Sequence, residues 1–354
     1  MILLSPGPVK VTEEIRNAQT NEMITHRSRD MSELYGDLVE RLKKYYNSEE
    51  AYVLTGSGAL GLETLISNIC KKDEKALCLP NGHFGNKMVL TAELYTNTLV
   101  EKLDGGKGWN LERAKEHIDN SNAQALIMLQ NETGYGVKNH IKEICKYAKS
   151  KGMFTVIDGI SAWPCTELDM KEFGVDGFVS GSQKGIGAPP GMALLGLSSD
   201  AVERYLGKDS PGYYFDLKRH KKRYEKDRQT PNTPAVSLFW ALQKAFDVMD
   251  EKGGVEEAVK RHSEIAGYVR KRLIEIGFGI IAEKGFESNT VTGFICESPE
   301  QAKEIKKRLK DEFDVVIVGC RDAFKDNGLR IAHMGNVTME ELDVCLDGIE
   351  KIIE

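Results

Sequence analysis

Short, mostly apolar runs alternate with amphipathic stretches along the first half of the chain. Residues 51–54, 76–79, 98–102, 125–129, 154–157 and 177–180 read as strands. Between them, 59–70, 86–95, 111–118 and 140–150 place their apolar residues at helical spacing. Strands with little polar alternation, separated by helices, predict an α/β chain whose mainly parallel sheet is covered on both faces. After a long helical stretch from 235 to about 275 the rhythm changes. Strands at 291–296, 315–318 and 328–332 surround a helix over 299–312, and a last helix over 339–353 closes the chain. Ser298-Pro-Glu-Gln301 combines an N-cap serine, a proline at the first helical position and a capping glutamine; Thr338-Met-Glu-Glu341 repeats the capping box. This tail predicts a second, smaller α+β domain.

Length agrees with two domains, because 354 residues exceed the roughly 250 to 300 at which a single core stops growing. Charge narrows the partners: 48 basic against 54 acidic residues gives −6, and no sustained basic face offers itself to nucleic acid. The one cationic run, KRHKKRYEKDR at 218–228, reads as a solvated helix face. Seven cysteines without CxxC spacing point to reduced thiols and a cytoplasmic location. The start, MILLSPGPVK, lacks the basic region of a signal peptide, and no apolar run reaches the roughly 18 residues of a membrane span. The seven histidines show no HExxH or paired spacing, so no metal is expected.

Three stretches carry chemistry. Ser180-Gly-Ser-Gln-Lys-Gly-Ile-Gly-Ala-Pro-Pro-Gly191 sets a single lysine, Lys184, on a loop constrained by glycines and prolines, directly after a strand. Thr55-Gly-Ser-Gly-Ala-Leu-Gly61 lies between a strand and a helix and matches G-x-G-x-x-G. An NAD-dependent dehydrogenase would follow it with an acidic residue at the end of the next strand, but Pro80-Asn81-Gly82-His83 stands there. What survives is a phosphate cradle of Ser57, Gly58 and Ala59 at a helix N-terminus. Third, strand 154–157 ends in Asp158, which by itself would be read as a turn cap. A phosphate cradle, a strand-end aspartate and a loop lysine at one sheet edge are together what pyridoxal 5′-phosphate requires. The lysine bonds the cofactor aldehyde, and the aspartate faces and keeps protonated the pyridine nitrogen.

The chain resembles the class V, fold-type I aminotransferases of the alanine-glyoxylate/serine-pyruvate group over nearly its full length. The most specific match is Ser180-Gly-Ser-Gln-Lys184 followed by Ala188-Pro-Pro-Gly191; Ser5-Pro-Gly-Pro8, His26-Arg27-Ser28, Asn131-Glu-Thr133 and Thr230-Pro-Asn-Thr-Pro234 fall in the family's order. The resemblance implies a large domain with a seven-stranded sheet. It divides the chain into an N-terminal segment at 1–15 that reaches the small domain and active site, a large cofactor domain at 16–240, a connecting helix at 241–265 and a small domain at 266–354. It implies that Phe84, where some members have tryptophan, and Ile160 sandwich the cofactor ring. Thr133 would face its phenolic oxygen, and Ser57, Gly58, Ala59 and Gln183 would hold its phosphate. Thr233, with Thr230, would reach the phosphate of a neighbouring subunit, which implies a homodimer with shared active sites.

Substrate recognition falls to Arg330 in Asn327-Gly-Leu-Arg-Ile331. On a strand, Arg330 faces opposite to Leu329 and Ile331, and its planar fork suits an α-carboxylate. Gly7 resembles the family's substrate-side backbone turn. The implied reaction is a ping-pong transamination between a small L-amino acid (alanine, serine or aspartate) and a 2-oxo acid (glyoxylate or pyruvate), with Lys184 moving the proton. Trp163 beside Phe84 is expected to crowd the pocket and favour small donors. The alternatives are a cysteine desulfurase or lyase of the same cofactor class, suggested by Cys320 before Arg330, and a catalytically inactive regulatory homologue. Gln183 stands where desulfurases carry histidine, so Cys320 reads as an ordinary buried thiol.

Overall fold

A computed structural model describes residues 1–354. Its centre is a seven-stranded sheet built from β1 (Glu50–Thr55), β2 (Lys75–Leu79), β3 (Asn97–Val100), β4 (Ala125–Leu129), β5 (Phe154–Asp158), β6 (Gly177–Gly181) and β7 (Met192–Leu197). The spatial order is β1-β7-β6-β5-β4-β2-β3. All strands run one way except β7, which pairs antiparallel with β1 on one side and β6 on the other. Six of the strands match the sequence pattern. The seventh, β7, is not among the strands expected from the pattern; its apolar run Met-Ala-Leu-Leu-Gly-Leu starts directly after Gly191 at the end of the glycine-proline loop.

Alternate residues along each strand feed two different cores. Val53, Leu77, Leu126, Ile157, Phe178 and Leu194 enter a cluster of 39 buried side chains on one face. Leu54, Cys78, Ile127, Val156, Val179 and Ala193 enter a cluster of 24 on the other. Both faces are therefore dry, the arrangement a parallel sheet needs. The helix Gly58–Ile69 crosses close over β6 and β7, and a Cβ on Gly61 would lie 2.7 Å from Val179 and 2.8 Å from Ala193. The last glycine of the G-x-G-x-x-G pattern thus serves helix–sheet contact.

The helical stretch after 235 is two helices, Val236–Glu251 and Gly254–Ile276, broken at Gly253 and Gly254, both with positive φ. The smaller antiparallel sheet that follows has β8 (Gly279–Ile280), β9 (Val291–Ile295), β10 (Val318–Gly319) and β11 (Gly328–Ala332) in the order β8-β9-β11-β10. A third cluster of 20 buried residues fills it. The expected strand at 315–318 is split: Val315–Val316 pairs in parallel with Ile2–Leu3, while Val318–Gly319 pairs with β11. The chain's first residues are strapped to this sheet, with Ala332 donating its N–H to Leu4 O at 2.9 Å. The cationic run lies on the helix Leu217–Asp227, where Lys221 pairs with Glu50 and Glu225, and Arg223 with Asp227. No helix is long and apolar enough to cross a membrane.

Candidate active site

Strand register brings the candidate groups to one edge. Asp158 pairs with Leu129 on one side and Val179 on the other, Gly181 with Ala193, and Met192 with Thr55. The segments leaving this edge carry Ser57 to Ala59, Asn131 to Thr133, Ile160, and Gln183 with Lys184. This is the carboxyl edge, where open α/β sheets gather their ligands.

The Lys184 loop is held by its own backbone. Ser182 Oγ donates to Pro189 O at 2.7 Å, Ala188 N–H to Ser182 O at 3.0 Å, and Gly187 N–H to Lys184 O at 2.9 Å. The N-terminal segment crosses directly over the lysine, whose Nζ donates to the carbonyl of Pro6. Gly7 has φ +109, and a Cβ there would lie 2.8 Å from Lys184 Cδ, Cε and Nζ. Only glycine lets the chain pass at that distance with that backbone. Burial pushes the Lys184 amine down to about 8, helped by Arg330 and opposed by Asp158. Asp158 is pushed up to about 6 by its own burial, although the Ile160 N–H at 2.9 Å and Lys184 both favour its charge. Each group is thus sensed by the other, and each is shifted toward neutrality.

The phosphate-cradle residues are adjacent. An ideal Cβ on Gly58 would lie 2.7 Å from Ile160, and one on Gly181 would lie 3.3 Å from Ile160 and 3.1 Å from Gln183 Oε1. Ser57 precedes the helix Gly58–Ile69 but makes no capping bond to it, and no backbone carbonyl accepts the N–H of Ser57, Gly58 or Ala59. The Gln183 amide oxygen is buried without a partner. Free amides at a helix N-terminus fit a phosphate, to which the Gln183 carboxamide could add a bond only through its Nε2 donor. With Lys184 and Asp158 at the same edge, the residues present fit pyridoxal phosphate. Phe84 and Ile160 are both half-buried and pack on the same hydrophobic layer.

Thr133 donates its hydroxyl to Ser161 Oγ at 2.6 Å, and Asn131 Nδ2 donates to the same oxygen at 2.8 Å. Arg330 is 3 % exposed and leaves the face that holds Leu329 and Ile331. Its Nε and Nη2 donate to Gly319 O at 3.0 and 2.7 Å, and its Nη1 crosses to Thr133 O at 2.7 Å. Beside it, Cys320 is buried, donates to Leu329 O at 3.4 Å, and has its thiol pushed up to about 12 by burial. Such a thiol is neither ionised nor presented for persulfide chemistry.

Some expectations change. Trp163 is fully buried in the main core, edge-on to Tyr46 at 5.0 Å, and does not crowd a pocket. Thr230 spends its hydroxyl on Asn232 O at 2.7 Å within its own loop, while Thr233 is exposed, with Oγ1 3.5 Å from His26 Nε2. Arg27 ties this loop down through the carbonyls of Thr230 and Pro231. Sequence reading missed Ser161, the Pro6 carbonyl and Glu132, a fully buried carboxylate in the quoted Asn131-Glu-Thr133 motif. An acid inside an otherwise neutral motif was the available signal for the last.

Residues 10–321 match the family described as aminotransferase class-V. The chain belongs to the class V aminotransferases. Over 359 aligned residues it is 34 % identical to an uncharacterised aminotransferase of Methanocaldococcus jannaschii, covering 100 % of this chain and 92 % of that protein. It is 27 % identical to serine–glyoxylate aminotransferase of Arabidopsis thaliana, covering 99 % of this chain and 90 % of the relative. In fold, this aminotransferase matches the crystal structure of alanine–glyoxylate aminotransferase from Nostoc sp. with a TM-score of 0.95 at 22 % identity, over 100 % and 95 % of the two chains.

Proposed function

We propose that this aminotransferase moves the amino group of a small L-amino acid (alanine, serine or aspartate) to glyoxylate or pyruvate in a ping-pong reaction with pyridoxal 5′-phosphate. The observation that carries the reading is the placement of Lys184 where it senses both Asp158 and Arg330, with its amine lowered to about 8. When bound, the cofactor supplies an aldehyde that condenses with the substrate amine and a protonated ring that withdraws the electrons released at Cα.

The chain's own residues supply the rest. Lys184, whose lowered amine leaves an appreciable uncharged fraction at physiological pH, would take the Cα proton of the bound amino acid in that form. Asp158, largely ionised at neutral pH, would face the pyridine nitrogen and keep it protonated. Ser57, Gly58, Ala59 and Gln183 hold the phosphate; Phe84 and Ile160 flank the ring; Thr133 faces its phenolic oxygen. Arg330 orients the α-carboxylate by its fork, and Gly7 lets the N-terminal segment close over the substrate side. Thr233 completes the phosphate site of a second subunit in a cytoplasmic homodimer. The exposure of its side chain and the family membership support that arrangement. The division into a segment at 1–15, a large domain at 16–240, a connecting helix at 241–265 and a small domain at 266–354 belongs to the same proposal, supported by a hydrophobic cluster proper to the small sheet.

The test is spectroscopic. Purified protein incubated with pyridoxal phosphate is expected to show a visible absorption band that alanine, serine or aspartate bleaches and glyoxylate or pyruvate restores. Absence of the band would remove the reading. Sulfide release from cysteine that depends on Cys320 would replace it with desulfuration.

A further inference from the structure

Glu132 is fully buried and has no cationic partner within salt-bridge distance. Its charge is met by amides from two different places. Oε2 accepts the N–H of Phe84 and of Gly85, each at 3.0 Å, in the first turn of the helix His83–Tyr95. The N-cap of that helix is Gly82, which has no side chain to do the same. Oε1 accepts the N–H of Gly134 at 2.7 Å, just past Thr133. Glu132 therefore caps a helix 48 residues away while closing its own turn. The positive end of the helix adds to the stabilisation of a carboxylate there.

The groups so fixed are those of the site. Phe84 is the first residue bonded, and its ring direction follows the backbone that Glu132 holds. Thr133 lies between Glu132 and Gly134; its hydroxyl meets Ser161 and its carbonyl receives Arg330 Nη1 at 2.7 Å. We propose that Glu132 is a positioning residue for transamination, one carboxylate that sets both the wall bearing Phe84 and the wall bearing Thr133 and Arg330. This rests on the transaminase reading above. Burial pushes the Glu132 carboxyl up to about 7, with Asp158 pushing the same way and the three amides pulling it down. Arg330 and Tyr135 are the other titratable groups coupled to it.

The test uses the holoenzyme and the Glu132→Gln variant. Glutamine offers one acceptor oxygen, so either the helix amides or the Gly134 amide must face an NH2 group. Losing a hydrogen bond to a charged acceptor predicts a fall in kcat/KM for the amino donor on the order of tenfold, carried mainly by KM through Arg330, and a weakened visible circular dichroism of the bound cofactor. Wild-type holoenzyme that shows no cofactor signal would overturn the transaminase reading and the inference with it. A normal wild type beside a Glu132→Gln variant of unchanged KM and dichroism would overturn the positioning role alone.

If that variant does not fold, hydrogen exchange decides. Asp158→Asn protein, in which the neighbouring acid no longer titrates, is expected to lose protection at the Phe84, Gly85 and Gly134 amides between pH 8 and pH 6, after correction for intrinsic rates. Arg330 and Tyr135 keep their charge states in this range, and Lys184, which gains charge below about pH 8, is removed as a cause by repeating the measurement with Lys184→Ala. Exchange of these three amides at intrinsic rates at pH 8, where the carboxylate is charged, would overturn the proposal.

Discussion

Lys184 donates its amine to the carbonyl of Pro6, a residue 178 positions earlier in the chain. The contact joins the loop that follows β6 to a segment whose first residues pair with Val315–Val316 and whose Leu4 carbonyl accepts the N–H of Ala332 on β11. The pairing holds the N-terminus across the lysine, and Gly7 leaves the lysine the room to work.

The lowered amine gives the first prediction. In cofactor-free protein, Lys184 is expected to react with aldehydes with a midpoint near pH 8, more than two units below an ordinary lysine. Rate measurements against pH, with Lys184→Ala as the blank, check this. The same variant should lose turnover by at least 10²–10⁴-fold, roughly the range for a positioned acid–base group, while retaining weak cofactor binding through the phosphate cradle.

Asp158 gives a stability prediction with a definite sign. Its folded carboxyl stands at about 6 against an ordinary 3.8, so between those values the folded chain holds a proton the unfolded chain has lost. Without cofactor, this group costs stability as pH rises from about 4 to 6, by about 3 kcal/mol if the full shift is expressed. A protonated pyridine nitrogen opposite Asp158 removes that cost. The rise in Tm on adding pyridoxal phosphate should therefore be larger at pH 7 than at pH 5, and Asp158→Asn should flatten the difference. Equal shifts in both proteins at both pH values would contradict the placement.

Arg330 holds two backbone carbonyls, on Gly319 and Thr133, besides any substrate. Arg330→Lys keeps the charge and loses the fork. It should lower kcat/KM for amino acids by roughly 10²-fold, the scale of one or two charge-assisted bonds, while leaving the visible band of the bound cofactor in place. Steady-state kinetics beside an absorption spectrum separate the two effects.

Cys320 should be dispensable. Its thiol is buried and held neutral, so Cys320→Ser is expected to keep transamination within about twofold. No sulfide should form from L-cysteine in either protein.

Shared sites can be read from mixed dimers. If Thr233 serves the neighbouring subunit, a dimer of one Lys184→Ala chain and one Thr233→Ala chain contains one intact site and one doubly defective site. It should show about half the activity per dimer at limiting cofactor, more than either parent. Activity no greater than the mean of the two parents would place Thr233 outside the partner's site.

How far the site was legible varies residue by residue. Lys184, Asp158 and the Ser57 to Ala59 turn each stand at the end of an apolar strand, and strand ends are visible in a hydrophobic pattern. Arg330 could be aimed correctly because strand periodicity fixes which neighbours share its face. Glu132 and the Pro6 carbonyl carried no such mark, since their importance lies in partners 48 and 178 residues away. Trp163 was misplaced for the converse reason: closeness to Asp158 in sequence does not keep a large ring out of the core.

The sequence by itself determined the alternation of strands and helices, the capped helices of the tail and the chemistry available at the sheet's carboxyl edge. Local pattern suffices there, because burial on two faces and helix capping act within a few residues. Tertiary structure alone decided the antiparallel place of β7, the strap of Ile2–Leu3 on Val315–Val316 and the shifts of Lys184, Asp158 and Glu132. Those depend on which distant groups exclude water from a charge, and desolvation is a property of the packed chain.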